Sequence, residues 1–261
     1  MSVRFVLFDL SQDLVDKWRE AFTTLVPEEC RTNITIMHKG LDAIPKPFDC
    51  IVSPANSFGR FDGGYILSDL YSIEPSLTIV CRFDQILSDN LAPATDPDAL
   101  THTAQSVLYS RWRGFAPPGT CTLIPLSDSP CSENVFKCRF VALCPTMRTP
   151  ASVTWHREIV YNCVWSLLVA IDEHNSRTSR EGGVKIETVV MTGLATGIGR
   201  VPASVCTKQT ALAFAHFHEA TVQNPDKWKA LQWHQIADMR LNPRLPMDEY
   251  DLSVPHCNAS D

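Results

Sequence analysis

The feature that most constrains this chain is its alternation of short β-branched or aromatic runs with stretches whose apolar residues recur at three- and four-residue steps. A buried strand reads as a continuous or alternating apolar run and a helix as a stripe of period 3.6, so the two signals in turn specify helices layered on a sheet. Val3 to Phe8 is such a run, interrupted only by Arg4, and predicts a buried strand. Ser11 then stands where a helix needs an N-cap, and Leu14, Val15, Trp18, Phe22 and Leu25 fall on one face of the helix that follows. Asn33 to Met37 and Asp49 to Val52 predict two more strands, and the two prolines within Gly40 to Phe48 exclude regular structure between them. Phe140 to Leu143 and Thr188 to Thr192 are again strand-like. Val160, Val164, Leu167, Leu168 and Ile171 mark the stripe of a long helix expected from Ser152 to Glu173.

This order predicts an α/β fold with helices on both faces of a mixed, largely parallel sheet, whose ligands sit beyond the carboxyl ends of the strands. A length of 261 residues, 44% apolar and 20% charged, fits one large globular domain over residues 1–240. The remainder, 241–261, with Pro243, Pro246, Asp248, Glu249 and Asp251, is read as a surface-packed or disordered extension. The ten cysteines are scattered and form no CxxC pair, which predicts mostly buried free thiols and a reducing compartment, cytoplasmic or nuclear. No apolar stretch approaches the length of a membrane span.

A formal net charge of -6 opposes a broad nucleic-acid-binding surface, so an anionic ligand must be held locally, by oriented backbone N–H groups. Two loops have that character. The first leaves the strand at Val52 as Ser53-Pro54-Ala55-Asn56-Ser57-Phe58-Gly59 and continues to Asp62-Gly63-Gly64. The amide of Asn56 can donate to and accept from sugar hydroxyls, and the glycines allow close backbone approach; an ordinary glycine-rich turn is the competing reading. The second, Gly193-Leu194-Ala195-Thr196-Gly197-Ile198-Gly199, joins a strand to a helix opened by Pro202 and suits a diphosphate. No Lys-Ser/Thr pair follows it, so it is not a triphosphate-binding loop, and its GxxxGxG spacing is not that of a dinucleotide fold.

Together and in this order the two loops resemble those of the macrodomain family, and Cys144-Pro145-Thr146-Met147-Arg148-Thr149-Pro150 resembles a signature of a microbial branch of it. The resemblance extends over about Val3 to Ala220. It implies a three-layer α/β/α sandwich with about six strands that binds ADP-ribose, free or attached to a protein or nucleic acid. Asn56 would touch the distal ribose, with Ser57, Phe58 and Gly59 beside it and Phe58 packing on the ligand. Gly63 and Gly64 would line that ribose and the neighbouring phosphate. Gly193 and Thr196 to Gly199, with Ile198 between the glycines, would wrap the diphosphate. Leu41 and Asp42 fit the family's adenine contact, with Asp9 as the rival.

Family members that hydrolyse ADP-ribose linkages often carry an aspartate two residues beyond the last glycine of the first loop, where this chain has Ile66. That departure leaves three readings: a metal-independent ADP-ribosylhydrolase using Asn56 and Asp62, a non-catalytic reader of ADP-ribose, and a domain that binds another nucleotide diphosphate. Asp62 can act as a base or merely shape an Asx turn. No cofactor and no metal is expected, because His216 and His218 are two residues apart on a helix and face different ways, and no cysteine and histidine cluster at ligand spacing.

Overall fold

A computed structural model of the protein describes residues 3–61 and 82–239. Asp62, Gly63 and Gly64 of the first loop, Ile66, and the 241–261 extension lie outside the described residues.

The strands are β1 (Arg4–Asp9), β2 (Ile34–His38), β3 (Cys50–Ser53), β4 (Thr122–Pro125), β5 (Phe140–Leu143) and β6 (Thr188–Met191). They form one six-stranded sheet in the order β2-β1-β6-β3-β5-β4, parallel throughout except for the antiparallel pairing of the edge strand β4 with β5. The main helices are α1 (Gln12–Leu25), α3 (Arg82–Leu91), α4 (Ala99–Trp112), α5 (Ile159–Glu181) and α6 (Ala203–His218), with short helices α2 (Glu28–Arg31), α7 (Pro225–Lys229) and α8 (Trp233–Asp238).

Strand alternation divides the core. Phe5 and Leu7 of β1, Cys50 and Val52 of β3, and Val189 and Met191 of β6 pack on one face against α1, α5 and α6, through Leu14, Trp18, Val164, Leu168 and Phe214. The intervening Phe8, Ile51 and Val190 face the other way, onto Leu87 and Leu91 of α3 and Leu100, Ala104 and Leu108 of α4. The result is a three-layer α/β/α sandwich, as expected. Ser11 caps α1, its hydroxyl accepting from the Leu14 N–H at 3.3 Å.

Three expectations need correction. The long helix starts at Ile159 rather than Ser152. Its third N–H, on Tyr161, is taken by the Gln209 side chain of α6, while Val153 N–H is drawn to the Gly199 carbonyl, and the residues between them form separate turns closed by His156 N–H on the Val153 carbonyl and Ile159 N–H on the His156 carbonyl. That helix continues to Glu181, past the expected Glu173, and ends at Gly182 and Gly183, both at positive φ. Gly40 to Phe48 contains one 3₁₀ turn, Leu41–Ala43. The helices α3 and α4 and the strand β4 lie in a stretch for which no elements were predicted.

Among the described residues no helix is long and apolar enough to cross a membrane. The described cysteines are all free thiols and, apart from half-buried Cys30, all buried. Burial pushes the Cys30 thiol up to about 11 and that of Cys206 to about 12, so neither is a thiolate at neutral pH.

Candidate functional site

Because β6, β3 and β5 are adjacent and parallel, the loops that follow them leave the same edge of the sheet. The first loop is joined to the segment after β5 by hydrogen bonds that prolong the strand pairing. Ala55 N–H donates to the Cys144 carbonyl at 3.1 Å, Thr146 N–H to Ala55 at 2.9 Å, and Ser57 N–H to Met147 at 3.0 Å. These bonds leave a cleft lined by Pro54, Ala55 and Asn56 of the first loop, Thr146, Met147 and Pro150 of the second segment, and Ala195, Gly197, Ile198 and Gly199 of the glycine loop. Phe83 and Asp84 from the start of α3 close it. It holds about 580 Å³ of non-protein space, part of it open to solvent.

The glycine loop is built by close approach and positive φ. A Cβ on Gly199 would lie 2.6 Å from the Ala195 carbonyl oxygen, and one on Gly193 would lie 2.6 Å from the Leu14 side chain. Ala195 and Arg200 adopt φ of 59° and 55°, a left-handed conformation costly for residues with a Cβ and recurrent at ligand-binding turns. Among the described residues, the N–H groups of Ala195, Thr196, Gly197, Ile198 and Gly199 have no protein acceptor. Five donors in one short turn beside a cleft make a nest suited to an anion.

The opposite wall is polar in a different way. Asp84 accepts a 2.9 Å hydrogen bond from the hydroxyl of Ser53, the last residue of β3, which fixes a carboxylate at the cleft. Thr146 is 1% exposed, and its Oγ1 has no hydrogen-bond partner among the described residues. Buried hydroxyls are nearly always paired, and this one belongs to a cleft-lining side chain, so it offers a donor and an acceptor to a bound polar group.

Of the residues predicted from sequence, the fold brings Asn56, Gly197, Ile198 and Gly199 to the cleft and keeps Thr196 in the same nest. The Asn56 carboxamide also organises its own loop, accepting from Phe58 N–H at 3.1 Å and Arg60 N–H at 3.3 Å and donating to the Arg60 carbonyl at 2.8 Å. Ser57 is a strut: fully buried, its hydroxyl donates to the Met147 carbonyl. Gly59, at φ 64°, packs against Leu108 and Ala104, and Gly193 N–H donates to Asp9 Oδ2 at 3.3 Å. Phe58 does not line the cleft; its ring lies 5.7 Å from that of Phe115, and among the described residues the aromatic ring on the cleft wall is Phe83.

Leu41 is buried in the core and Asp42 is exposed on the 3₁₀ turn after the edge strand; neither lines the cleft. The rival Asp9 braces the glycine loop, accepting from Ser11 N–H, from the Thr192 hydroxyl at 2.8 Å and from Gly193 N–H.

Sequence reasoning missed Phe83, Asp84 and the role of Thr146. Asp84 stands 31 residues from the Ser53 that holds it, so no local pattern announces it.

No protein-family model matches the chain, and no curated protein matches its sequence. Among the described residues no group of three or more histidine, cysteine, aspartate or glutamate side chains is placed to hold a metal ion. His216 is half-buried and hydrogen-bonded to the Tyr161 hydroxyl at 3.1 Å, whereas His218 turns to Glu29.

Proposed function

We propose that this chain is a macrodomain-type module that binds ADP-ribose, free or attached to a macromolecule, with the diphosphate on the Thr196 to Gly199 amides. The observation that carries this reading is the pairing, in one cleft, of an amide nest with a separate wall of hydroxyl and carboxylate groups. A nest alone fits any phosphate. A ligand that satisfies both walls carries its anionic part toward the nest and its hydroxyls toward Asp84 and Thr146, with one Asn56 N–H left to donate to a hydroxyl oxygen, as a sugar diphosphate does.

Asp84 also favours a second reading, hydrolysis. A carboxylate fixed by Ser53 can orient a water at the sugar, a task for which the carboxylate expected from the sequence is Asp62. Calorimetric titration with ADP-ribose and AMP tests the binding proposal. Micromolar binding of ADP-ribose, weak binding of AMP, and loss of both in Gly197→Glu, which places a carboxylate in the cleft-lining glycine loop, are the expected outcome. Absence of ADP-ribose binding by the folded wild-type chain would overturn the reading. Release of ADP-ribose from modified substrates, lost in Asp84→Asn with affinity retained within about tenfold, would establish the hydrolase.

A further inference from the structure

A strip of exposed or half-buried aromatic rings and exposed guanidinium groups runs from the rim of the cleft onto α4. It starts at Phe58, two residues beyond cleft-lining Asn56, and at Arg148, which lies between cleft-lining Met147 and Pro150. Phe115 joins them, its ring 5.7 Å from that of Phe58 and 5.7 Å from the Arg148 guanidinium. Gln105 of α4 donates to the Phe58 carbonyl at 3.3 Å, and one turn further along the same helical face stands Tyr109, 64% exposed, with the Arg113 guanidinium 5.8 Å from its ring. In a chain of net charge -6, neither Arg113 nor Arg148 forms an ion pair with a carboxylate among the described residues.

We propose that this strip binds a short stretch of single-stranded nucleic acid leading away from the cleft. An acidic peptide would need the two cations but has no use for the rings. Unpaired bases stack on aromatic faces and on guanidinium planes, while the arginine N–H edges take phosphates. A duplex hides its base faces and is not expected to fit. The strip is compatible with the overall acidity of the chain because it needs only two phosphate contacts, where a broad basic groove would need many.

Fluorescence anisotropy of the full chain with labelled ten-nucleotide single strands, as RNA and as DNA, tests this without reference to the cleft's ligand. A hairpin duplex and a polyglutamate peptide serve as competitors. Binding of a single strand is expected, with a shallow salt dependence of slope about -1.4, from ~0.7 for each of two phosphates. Tyr109→Ala should weaken it about tenfold, the scale of one lost stacking contact, and Tyr109→Phe should restore it. Arg113→Gln should weaken binding and flatten the salt slope. Thermal unfolding of each variant checks that the fold is kept, and ADP-ribose titration of Tyr109→Ala should match the wild type. No binding of either strand, equal competition by hairpin or polyglutamate, or unchanged affinity in folded Tyr109→Ala and Arg113→Gln would each overturn the proposal. ADP-ribose binding with no oligonucleotide binding would remove this inference and leave the cleft reading standing.

Discussion

Gly199 sits where a side chain has no room: a Cβ there would meet backbone, the Ala195 carbonyl oxygen at 2.6 Å, and the Ala195 and Val153 side chains at 3.0 Å. Backbone cannot swing aside as a flexible side chain does, so Gly199→Ala must open the nest. A loss of about 1–3 kcal/mol in stability is expected, read by denaturant unfolding, with weaker ADP-ribose binding by the fraction that still folds. Asp84 tests the other wall. Asn at this position can still accept from Ser53, which preserves the scaffold, but it removes the charge that receives sugar hydroxyls. Asp84→Asn is therefore expected to weaken ADP-ribose about tenfold, the lower end for a hydrogen bond to a charged group, and to leave ADP as tight or tighter. Parallel calorimetry with the two ligands decides it, because a merely structural role would weaken both alike.

At the scale of elements, α6 is what the glycine loop hangs from, and one buried side chain of α6 ties it to the start of α5. Gln209, 1% exposed, accepts from the Tyr161 N–H at 3.0 Å and donates to the Arg157 carbonyl. It thus supplies from a neighbouring helix the cap that α5 lacks in its own sequence, since Glu158 at the N-cap makes no side-chain cap bond. Gln209→Ala leaves both backbone groups without their partner. A loss of about 1–3 kcal/mol is expected, measured as a lower denaturant midpoint with the slope of the transition unchanged. The same tether explains why the helix starts at Ile159 and not at Ser152 as the sequence predicts. The periodic stripe at Val160, Val164, Leu167, Leu168 and Ile171 was legible and all five side chains are buried, but the position of its first turn depends on a residue about 50 places later. The face of α4 was available in the same way, since Leu100, Ala104 and Leu108 recur every four residues and are fully buried.

Across the whole molecule, the end of the sheet remote from the cleft is held by Asp49. Its carboxylate accepts from Arg139 and from the Glu187 and Thr188 N–H groups, each at 2.9 Å, which gathers the entries to β3, β5 and β6. Partial burial would raise its pKa, but the Arg139 and backbone hydrogen bonds outweigh this and hold it below the ordinary carboxylate value. A lowered folded-state pKa means stability that is present above the unfolded carboxylate range and is lost as pH falls through the folded value. Asp49→Asn should be less stable than wild type by about 1 kcal/mol at pH 7, and the gap should close as the solution is acidified below pH ~4. Thermal unfolding across that range checks the sign; a constant gap would assign Asp49 a packing role alone. By itself, the sequence determined the layering, the strands at Val3, Asn33, Asp49, Phe140 and Thr188, the Ser11 cap, and the two glycine-bearing loops, because periodicity, capping and glycine requirements are local. Only tertiary structure decided that Thr146 and Asp84 face those loops, that Phe83 rather than Phe58 lines the cleft, and that Leu41 belongs to the core. Those placements follow from strand order and helix docking, which bring together residues that no spacing along the chain connects.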